Sequence, residues 1–357
     1  MWWLEWRRHE RDRAQLGGMQ SPPKQHGHRE ACMLGLLLIL LLWAAAFLMY
    51  SVAAVGNAAG FWEMLGLAWP VVAVLLGMVL VRSAPHDPVV MLGRSALQSG
   101  RPFIERLRWD ILRDNLVKAF FLPIMVGSVV IFAQQFTNEL RAAPSGVRWF
   151  AMSMSFLYLI DVTFATVGYL STFKRLGAHI RNSNPYLLGW VSALVCYPPF
   201  FTWLGWLGLI RYKEGPQWHH WLESGGPTLY VWGGAIIALT TIYAWATIVF
   251  GIRFSNLTHR GIITHGPFRW TKHPAYISKN LSWWLLFAPF LSEHGFGVAA
   301  SACASLLAVN LIYFIRARTE EKHLRADPAY EAYARWIAEH GFLAKLLRHK
   351  PWLIMNR

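Results

Sequence analysis

A polar segment lies directly ahead of an apolar run near the C-terminus of the chain. Residues 264–280 read THGPFRWTKHPAYISKN, and LSWWLLFAPFL follows them. A second group of charges, RARTEEKHL at residues 316–324, ends the last long apolar run. Basic and acidic side chains that converge beside an apolar surface suit a ligand with a charged head and an oily tail. These two segments are therefore the candidate site for chemistry.

The two segments have to be held by helices that cross a membrane. The chain has 357 residues, of which 55% are hydrophobic. A helix needs about 20 apolar residues to cross a bilayer core of roughly 30 Å, and several unbroken runs reach that length. Such runs are not the alternating ten-residue strands of a membrane β-barrel. We therefore predict an all-α, polytopic helical membrane protein with about eight transmembrane helices, at about 33–55, 61–82, 118–136, 149–172, 186–210, 228–250, 276–292 and 296–316.

Basic residues alternate between the loops as the positive-inside rule requires. Lys and Arg are concentrated in the N-terminal tail, in the loops at 83–117, 173–185 and 251–275, and in the C-terminal tail. The intervening loops carry few of them. We therefore expect a multi-pass protein in the lipid bilayer, with both termini and the candidate site on the cytoplasmic side.

The same pattern divides the chain into three regions. Residues 1–32 are predicted to be a flexible basic cytoplasmic tail, and residues 33–250 a six-helix membrane region. Residues 251–357 follow as a loop, a helical hairpin and a last cytoplasmic helix, which Asp327-Pro328 would begin. Segment 94–116 is either an amphipathic helix on the cytoplasmic surface or a plain connector.

Two features inside the predicted spans are unusual for lipid-facing sequence. Pro198 and Pro199 remove backbone donors from the fifth span, which predicts a kink or a break there. Asp161 lies within the fourth span, where a carboxylate is costly and is a candidate for function. The alternative is that Asp161 serves packing only, bonded to Thr163 or to another helix.

Composition excludes several classes of function. The formal net charge of +15 could suggest nucleic acid, but spanning helices leave no sizeable soluble basic face. The basic residues are better explained as determinants of topology. Cys32, Cys196 and Cys303 lie in or beside apolar segments, an odd number that gives neither a disulfide framework nor a metal cluster.

The two polar segments also resemble a known family. THGPFRWTKHPAYISKNLSWW, followed by RARTEEKHL and YEAYARW, is similar to the C-terminal half of the isoprenylcysteine carboxyl methyltransferase family and to the related phospholipid methyltransferases. That pattern is Gly-Pro, Arg-His-Pro-x-Tyr-x-Gly, a span, a Glu-Glu pair and Tyr-x-x-Tyr. The resemblance covers about residues 258–336. Lys272 and Ser278 stand where the family has Arg and Gly.

The resemblance implies S-adenosylmethionine-dependent methyl transfer at the cytoplasmic membrane face. The chain has no Gly-rich dinucleotide fingerprint, so the cofactor is expected between the 264–276 loop, the end of the eighth span and the last helix. Its cationic end suits Glu320 and Glu321, and its carboxylate suits Lys272 or Arg269. The cofactor-binding residues implied by the resemblance are Gly266, Pro267, Lys272, His273, Pro274, Tyr276, Glu320, Glu321 and Tyr330.

Arg318 and Glu320 are the catalytic residues that the resemblance implies. The acceptor would be an amphiphilic small molecule or a lipid-modified one. A carboxylate acceptor, which we favour, needs no base, and Arg318 would hold and orient it. An amine headgroup would need a base to take up its proton, and Glu320 or His273 are the candidates.

Two other functions stay open at this point. NADPH-dependent membrane reductases of the sterol and steroid type resemble part of the pattern, but Ala275 and Lys279-Asn280 depart from theirs. A non-enzymatic transporter or membrane scaffold would account for Asp161 and the interrupted fifth span. Transporters often contain internal repeats, and none is visible in this sequence.

Overall fold

The structure is a computed structural model that describes residues 25–53, 55–98, 102–143, 145–224, 226–342 and 344. Almost all of the regular elements in these ranges are helices, which confirms the predicted all-α class. The chain divides into two compact units: Met1–Leu41 with Pro70–Ile111, and Leu42–Trp69 with Leu112–Arg357.

The described ranges contain long helices joined by short turns. In chain order the helices are α1 (Gln25–Val52), α2 (Gly56–Leu67), α3 (Trp69–Arg82), α4 (Pro88–Leu97), α5 (Phe103–Arg106), α6 (Trp109–Arg141), α7 (Arg148–Leu170), α8 (Leu187–Leu194), α9 (Phe200–Trp206), α10 (Pro227–Phe250), α11 (Pro274–Phe287), α12 (Phe296–Leu324) and α13 (Pro328–His340). Short 3₁₀ helices lie at Lys174–Leu176, Trp218–Trp221, Gly251–Arg253 and Gly266–Arg269. Two short strands, β1 (Asn182–Ser183) and β2 (Thr258–His259), pair antiparallel.

The first unit depends on a close approach of two helix backbones. A Cβ on Gly93 of α4 would lie 1.7 Å from the carbonyl oxygen of Ala31 in α1. A Cβ on Gly35 would likewise lie 1.9 Å from the carbonyl oxygen of Val89. Small residues let helices in lipid approach this closely. The glycines therefore fix how α4 lies on the N-terminal part of α1.

The second unit contains the aromatic core and the candidate site. Phe121 and Tyr169 stack with ring centroids 5.7 Å apart, and the hydroxyl of Tyr50 donates a hydrogen bond to the carbonyl of Phe120. Helix α10 packs against both α7 and α11. This packing fixes the end of α10, the following loop and α11 relative to α7.

Five of the described helices are long and apolar enough to cross a membrane, namely α1, α6, α7, α10 and α12. Helices α2 and α3 add a sixth if they form one span. The predicted break in the fifth span is confirmed, because α8 ends at Leu194 and α9 begins at Phe200. The seventh predicted span is the 14-residue helix α11. The protein is thus a helical membrane protein, and the count of eight stays a prediction.

Two predicted boundaries differ from the structure. Helix α1 begins at Gln25, inside the predicted 1–32 tail, and His28 Nε2 lies 3.0 Å from the carbonyl oxygen of Ser83. Residues 1–24 and 345–357, and with them the predicted sides of both termini, lie outside the described residues. Segment 94–116, given above as an amphipathic helix or a connector, does not form one continuous helix: α4 ends at Leu97, extended backbone at Leu107 ends α5 after four residues, and α6 begins at Trp109.

Candidate active site

The end of α12 supplies the charged side chains of the site. Residues three or four apart share a helix face, so Arg316 lies with Glu320, and Arg318 lies with Glu321. Arg316 and Glu321 are each 6% exposed. The side chain of Arg318 is 65% exposed, and its nearest acidic oxygen is 3.9 Å away on Glu321. The structure therefore buries Arg316 and leaves the predicted Arg318 at the surface.

The loop ahead of α11 begins with a turn that requires glycine. Gly266 has φ +60°, a conformation that other residues rarely adopt. A Cβ at this position would also lie 2.8 Å from Cγ2 of Val249. Pro267 and Phe268 are buried in the 3₁₀ helix that follows. Gly266 and Pro267 thus set the path of the loop that carries Lys272 and His273.

Glu321 ties this loop to α12 through two partners. Lys272 Nζ lies 2.7 Å from Glu321 Oε1, and His273 Nε2 lies 3.0 Å from the same oxygen. The side chains are 25% exposed for Lys272 and 7% for Glu321, so water competes little for these contacts. The charge of Glu321 is therefore already matched within the protein, and these contacts connect the loop to α12.

Tyr276 and Glu320 form a second link between the loop side and α12. Tyr276 Oη donates to Glu320 Oε2 at 2.7 Å. The ring of Tyr276 stacks on His273, with centroids 5.4 Å apart and planes 4° apart. A carboxylate can accept several hydrogen bonds, so Glu320 keeps capacity for a ligand after this one.

Helix α13 completes the wall of the site. The predicted start of this helix is confirmed, because Asp327 Oδ1 accepts a hydrogen bond from the backbone N–H of Ala329 at 2.9 Å. Tyr333 Oη donates to the carbonyl of Phe268 at 2.7 Å, which docks α13 on the loop. Tyr330 is 4% exposed, and its hydroxyl has no hydrogen-bond partner among the described residues. Burial raises the pKa of Tyr330, so the hydroxyl stays a neutral donor at pH 7.

These elements surround one cavity of about 1110 Å³, its open mouth included. The predicted residues that line it are Lys272, His273, Pro274, Tyr276, Glu320 and Tyr330. Gly266, Pro267, Arg318 and Glu321 do not line it. Further lining residues include Tyr197, Tyr243, Thr258, Lys279, Tyr313 and Arg316.

The chain segment that builds most of this cavity has a known counterpart. Residues 232–326 match the isoprenylcysteine carboxyl methyltransferase (ICMT) family. No match was found among curated proteins or among solved structures. The ICMT region extends from α10 through α11 and α12, and so contains both charged segments predicted from the sequence. The match confirms the resemblance and supports a membrane methyltransferase.

Arg316 is the residue of the ICMT region that the sequence patterns did not single out. Its guanidinium donates to Asn256 Oδ1 at 2.5 Å. It also lies 5.1 Å from the ring centroid of Tyr276 and 5.7 Å from that of Tyr197. The available signal was its spacing of four residues from Glu320, which places both on one helix face.

Asp161 contacts the ICMT region from α7. Tyr243 Oη and Thr247 Oγ1 each donate to the Asp161 carboxylate at 2.5 Å. Both donors line the cavity, whereas Asp161 itself is 6% exposed and lies behind them. Of the interpretations made from sequence, the structure shows that Asp161 is bonded to another helix, α10. These hydrogen bonds orient Tyr243 and Thr247 in the cavity wall.

Arg260 fixes the loop between α10 and α11 to the end of α7. Its guanidinium donates to the carbonyls of Gly168 at 2.7 Å and Ser171 at 2.9 Å. It also donates to the carbonyls of Ile252 and Phe254, each at 2.8 Å, and Ala178 accepts two further bonds. Burial lowers the pKa of Arg260 to about 10, so the group stays charged at pH 7.

Proposed function

We propose that the protein is an integral membrane methyltransferase that uses S-adenosylmethionine on an amphiphilic or lipid-modified acceptor at the cytoplasmic face. The methyl-accepting group is a carboxylate. The observation that carries the proposal is that Arg316 and Glu320 line one cavity within the ICMT region. A buried guanidinium and a carboxylate in one cavity can bind an anionic acceptor beside a cationic donor.

The residues present fit the cofactor. Glu320 has acceptor capacity for a sulfonium or ammonium group. The buried Tyr330 Oη and Thr258 Oγ1 have no hydrogen-bond partner among the described residues, and both line the cavity. Buried polar atoms are normally satisfied, so a polar ligand is the natural partner for these two. Lys272 has further N–H donors for a carboxylate besides the one directed at Glu321.

S-adenosylmethionine, when bound, supplies an electrophilic methyl group. The contribution of the chain is to position the acceptor, which needs no base if it is a carboxylate. We assign the orienting role to Arg316 instead of Arg318, because the fork of a buried guanidinium can hold both carboxylate oxygens. An amine acceptor would need Glu320 or His273 as a base, and His273 is already engaged by Glu321 at 3.0 Å.

The organisation of the chain around this site is part of the same proposal. Residues 251–357 form the catalytic region, to which the preceding membrane region adds Tyr197 and Tyr243. Eight spans with both termini in the cytoplasm are supported by the distribution of Lys and Arg over the loops. Reporter fusions after Arg148 and after Arg357 should lie on opposite sides of the membrane, and signals from the same side would refute this topology.

Methyl transfer is tested on membranes that contain the full chain. With labelled S-adenosylmethionine we expect label in a lipid or lipid-modified fraction, and base should release it as from a methyl ester. Arg316→Ala should abolish the label, while the surface variant Arg318→Ala is the matched control. Label that resists base would indicate an amine acceptor. Calorimetric binding of NADPH without binding of S-adenosylmethionine would replace the methyltransferase with the reductase alternative.

A further inference from the structure

Lys279 is a cation of the cavity to which neither the sequence patterns nor the proposed reaction gave a role. It lies on α11, one turn after Tyr276, and lines the cavity. Its Nζ is 5.1 Å from the ring centroids of both Tyr243 and Trp283, and 5.8 Å from that of Tyr313. Among the described residues, none offers Lys279 a carboxylate within ion-pair distance. An ammonium group is thus held by aromatic faces, and no described carboxylate contacts it directly.

Asp161 is the carboxylate whose charge interacts with that of Lys279, but its oxygens are bonded to other side chains. Asp161 accepts hydrogen bonds from the hydroxyls of Tyr243 and Thr247, and it does not line the cavity. Aromatic rings stabilise a cation only in part, and a sheltered charge normally has an opposite charge or a set of hydrogen bonds. A ligand in the cavity can therefore supply the direct anionic partner that the described residues do not provide for Lys279.

Arg316 is a second cation of the cavity that lies over aromatic rings. It lies 5.8 Å from the ring centroid of Tyr313, as Lys279 does, and its recorded hydrogen bond goes to the neutral amide of Asn256. Within the described part of the chain, Arg316 has no carboxylate in ion-pair distance either. Two cations beside one tyrosine ring thus face the cavity, while Glu320 supplies its negative charge.

We propose that Lys279 is a specificity-determining residue, which with Arg316 forms a two-cation subsite for the anionic head of the acceptor. This rests on the proposed methyl transfer. In that reaction a carboxylate oxygen bonds to the methyl carbon, the sulfur–carbon bond breaks with its electron pair left on sulfur, and no proton moves. The acceptor head changes from negative to neutral, so the two cations bind the substrate and release the ester. The same cations repel a head that carries an ammonium group.

Binding measurements on the full chain in lipid nanodiscs separate this role from others. The probes are N-acetyl-S-farnesylcysteine, which has a carboxylate, and its neutral carboxamide. The wild-type protein should prefer the carboxylate, and Lys279→Met should reduce that preference by about 10- to 100-fold, as expected when a charged hydrogen-bond partner is lost. Lys279→Arg should restore much of it. Affinity for S-adenosylmethionine should change less than about twofold, because the donor lies with Glu320 and Lys272.

Lys213→Met is the control, and because the charges of Lys213 and Lys279 interact, we expect a change in it that is much smaller than in Lys279→Met. Lys213 Nζ also lies over aromatic rings, 4.6 Å from the centroid of Phe201 and 5.8 Å from that of Phe287, but the residue does not line the cavity. Loss of carboxylate preference in this control, or no preference in the wild type, would overturn the proposal. An equal loss of donor affinity in Lys279→Met would place Lys279 in the donor site instead. A wild type that selects the carboxylate but fails to bind S-adenosylmethionine would refute the methyltransferase and leave the subsite standing.

Discussion

Replacement of Glu321 by Gln tests how the loop of the ICMT region is held. The change keeps the shape of the side chain and removes the charge that faces Lys272 at 2.7 Å and His273 at 3.0 Å. A hydrogen bond to a charged group contributes about 1.5–3 kcal/mol. Gln retains one oxygen as an acceptor, and water reaches Lys272, whose side chain is 25% exposed. We therefore expect donor binding to weaken by about 1–2 kcal/mol, on the order of tenfold.

The structure also predicts how the loss of the Glu321 charge reaches the donor site. Glu321 does not line the cavity, whereas its partners Lys272 and His273 do. Lys272 makes the shorter contact, so most of the loss should act through Lys272. Calorimetry with S-adenosylmethionine on Glu321→Gln, Lys272→Met and the double variant gives the coupling energy. We expect a coupling of about 1–2 kcal/mol, so that the double variant binds no more weakly than Lys272→Met alone. Additive losses would show that Glu321 does not act through Lys272, and the reasoning would be refuted. Glu331→Gln, on the exposed side of α13, is the control.

Three further predictions concern neighbouring residues. Arg316→Lys should lower turnover by about 10- to 100-fold, because an ammonium lacks the fork that holds two oxygens, while Arg318→Lys should stay near wild type in the same methylation assay. Arg260→Gln should destabilise the detergent-purified protein by about 3 kcal/mol or more, measured by denaturation, because each buried carbonyl left without a donor costs about 1–3 kcal/mol; near wild-type stability would contradict this. Burial beside Arg181 lowers the pKa of His259, so the folded state disfavours its charged form. Stability should therefore fall as pH drops below about 6.5, and less so in His259→Gln.

The sequence was enough to locate the segments that form the cavity. It was not enough to predict that Arg316, and not Arg318, lines it. Chain order alone placed the His-Pro-x-Tyr segment and the Glu pair at the same membrane face, and Lys272, His273, Tyr276 and Glu320 do meet there. Arg316 and Arg318 each share a helix face with one glutamate, and periodicity cannot tell which face turns inward. That depends on how α12 packs against Tyr276 and Tyr197, which are distant in the chain.

Helix lengths were also only partly predictable. Hydropathy marks the part of a helix that matches the bilayer, and 118–136 was the predicted span. Helix α6 extends over Trp109–Arg141, because polar residues at both ends continue the same hydrogen-bonded backbone.

The hydrogen-bond partners of Asp161 could not be predicted for a different reason. Tyr243 and Thr247 lie more than 80 residues away, at |i−j| of 82 and 86, so no local pattern connects them with Asp161.

The interrupted fifth span has a consequence for attempts to build chimeras. The chain leaves the helical path after Leu194, and Tyr197 in the gap places its ring 5.7 Å from the Arg316 guanidinium. Tyr197 lies outside both the matched ICMT region and residues 251–357. The proposed catalytic region therefore does not build its cavity alone, and grafting it behind a foreign set of helices would remove Tyr197 from the cavity wall. A chimera should therefore include the native α8–α9 segment together with residues 251–357.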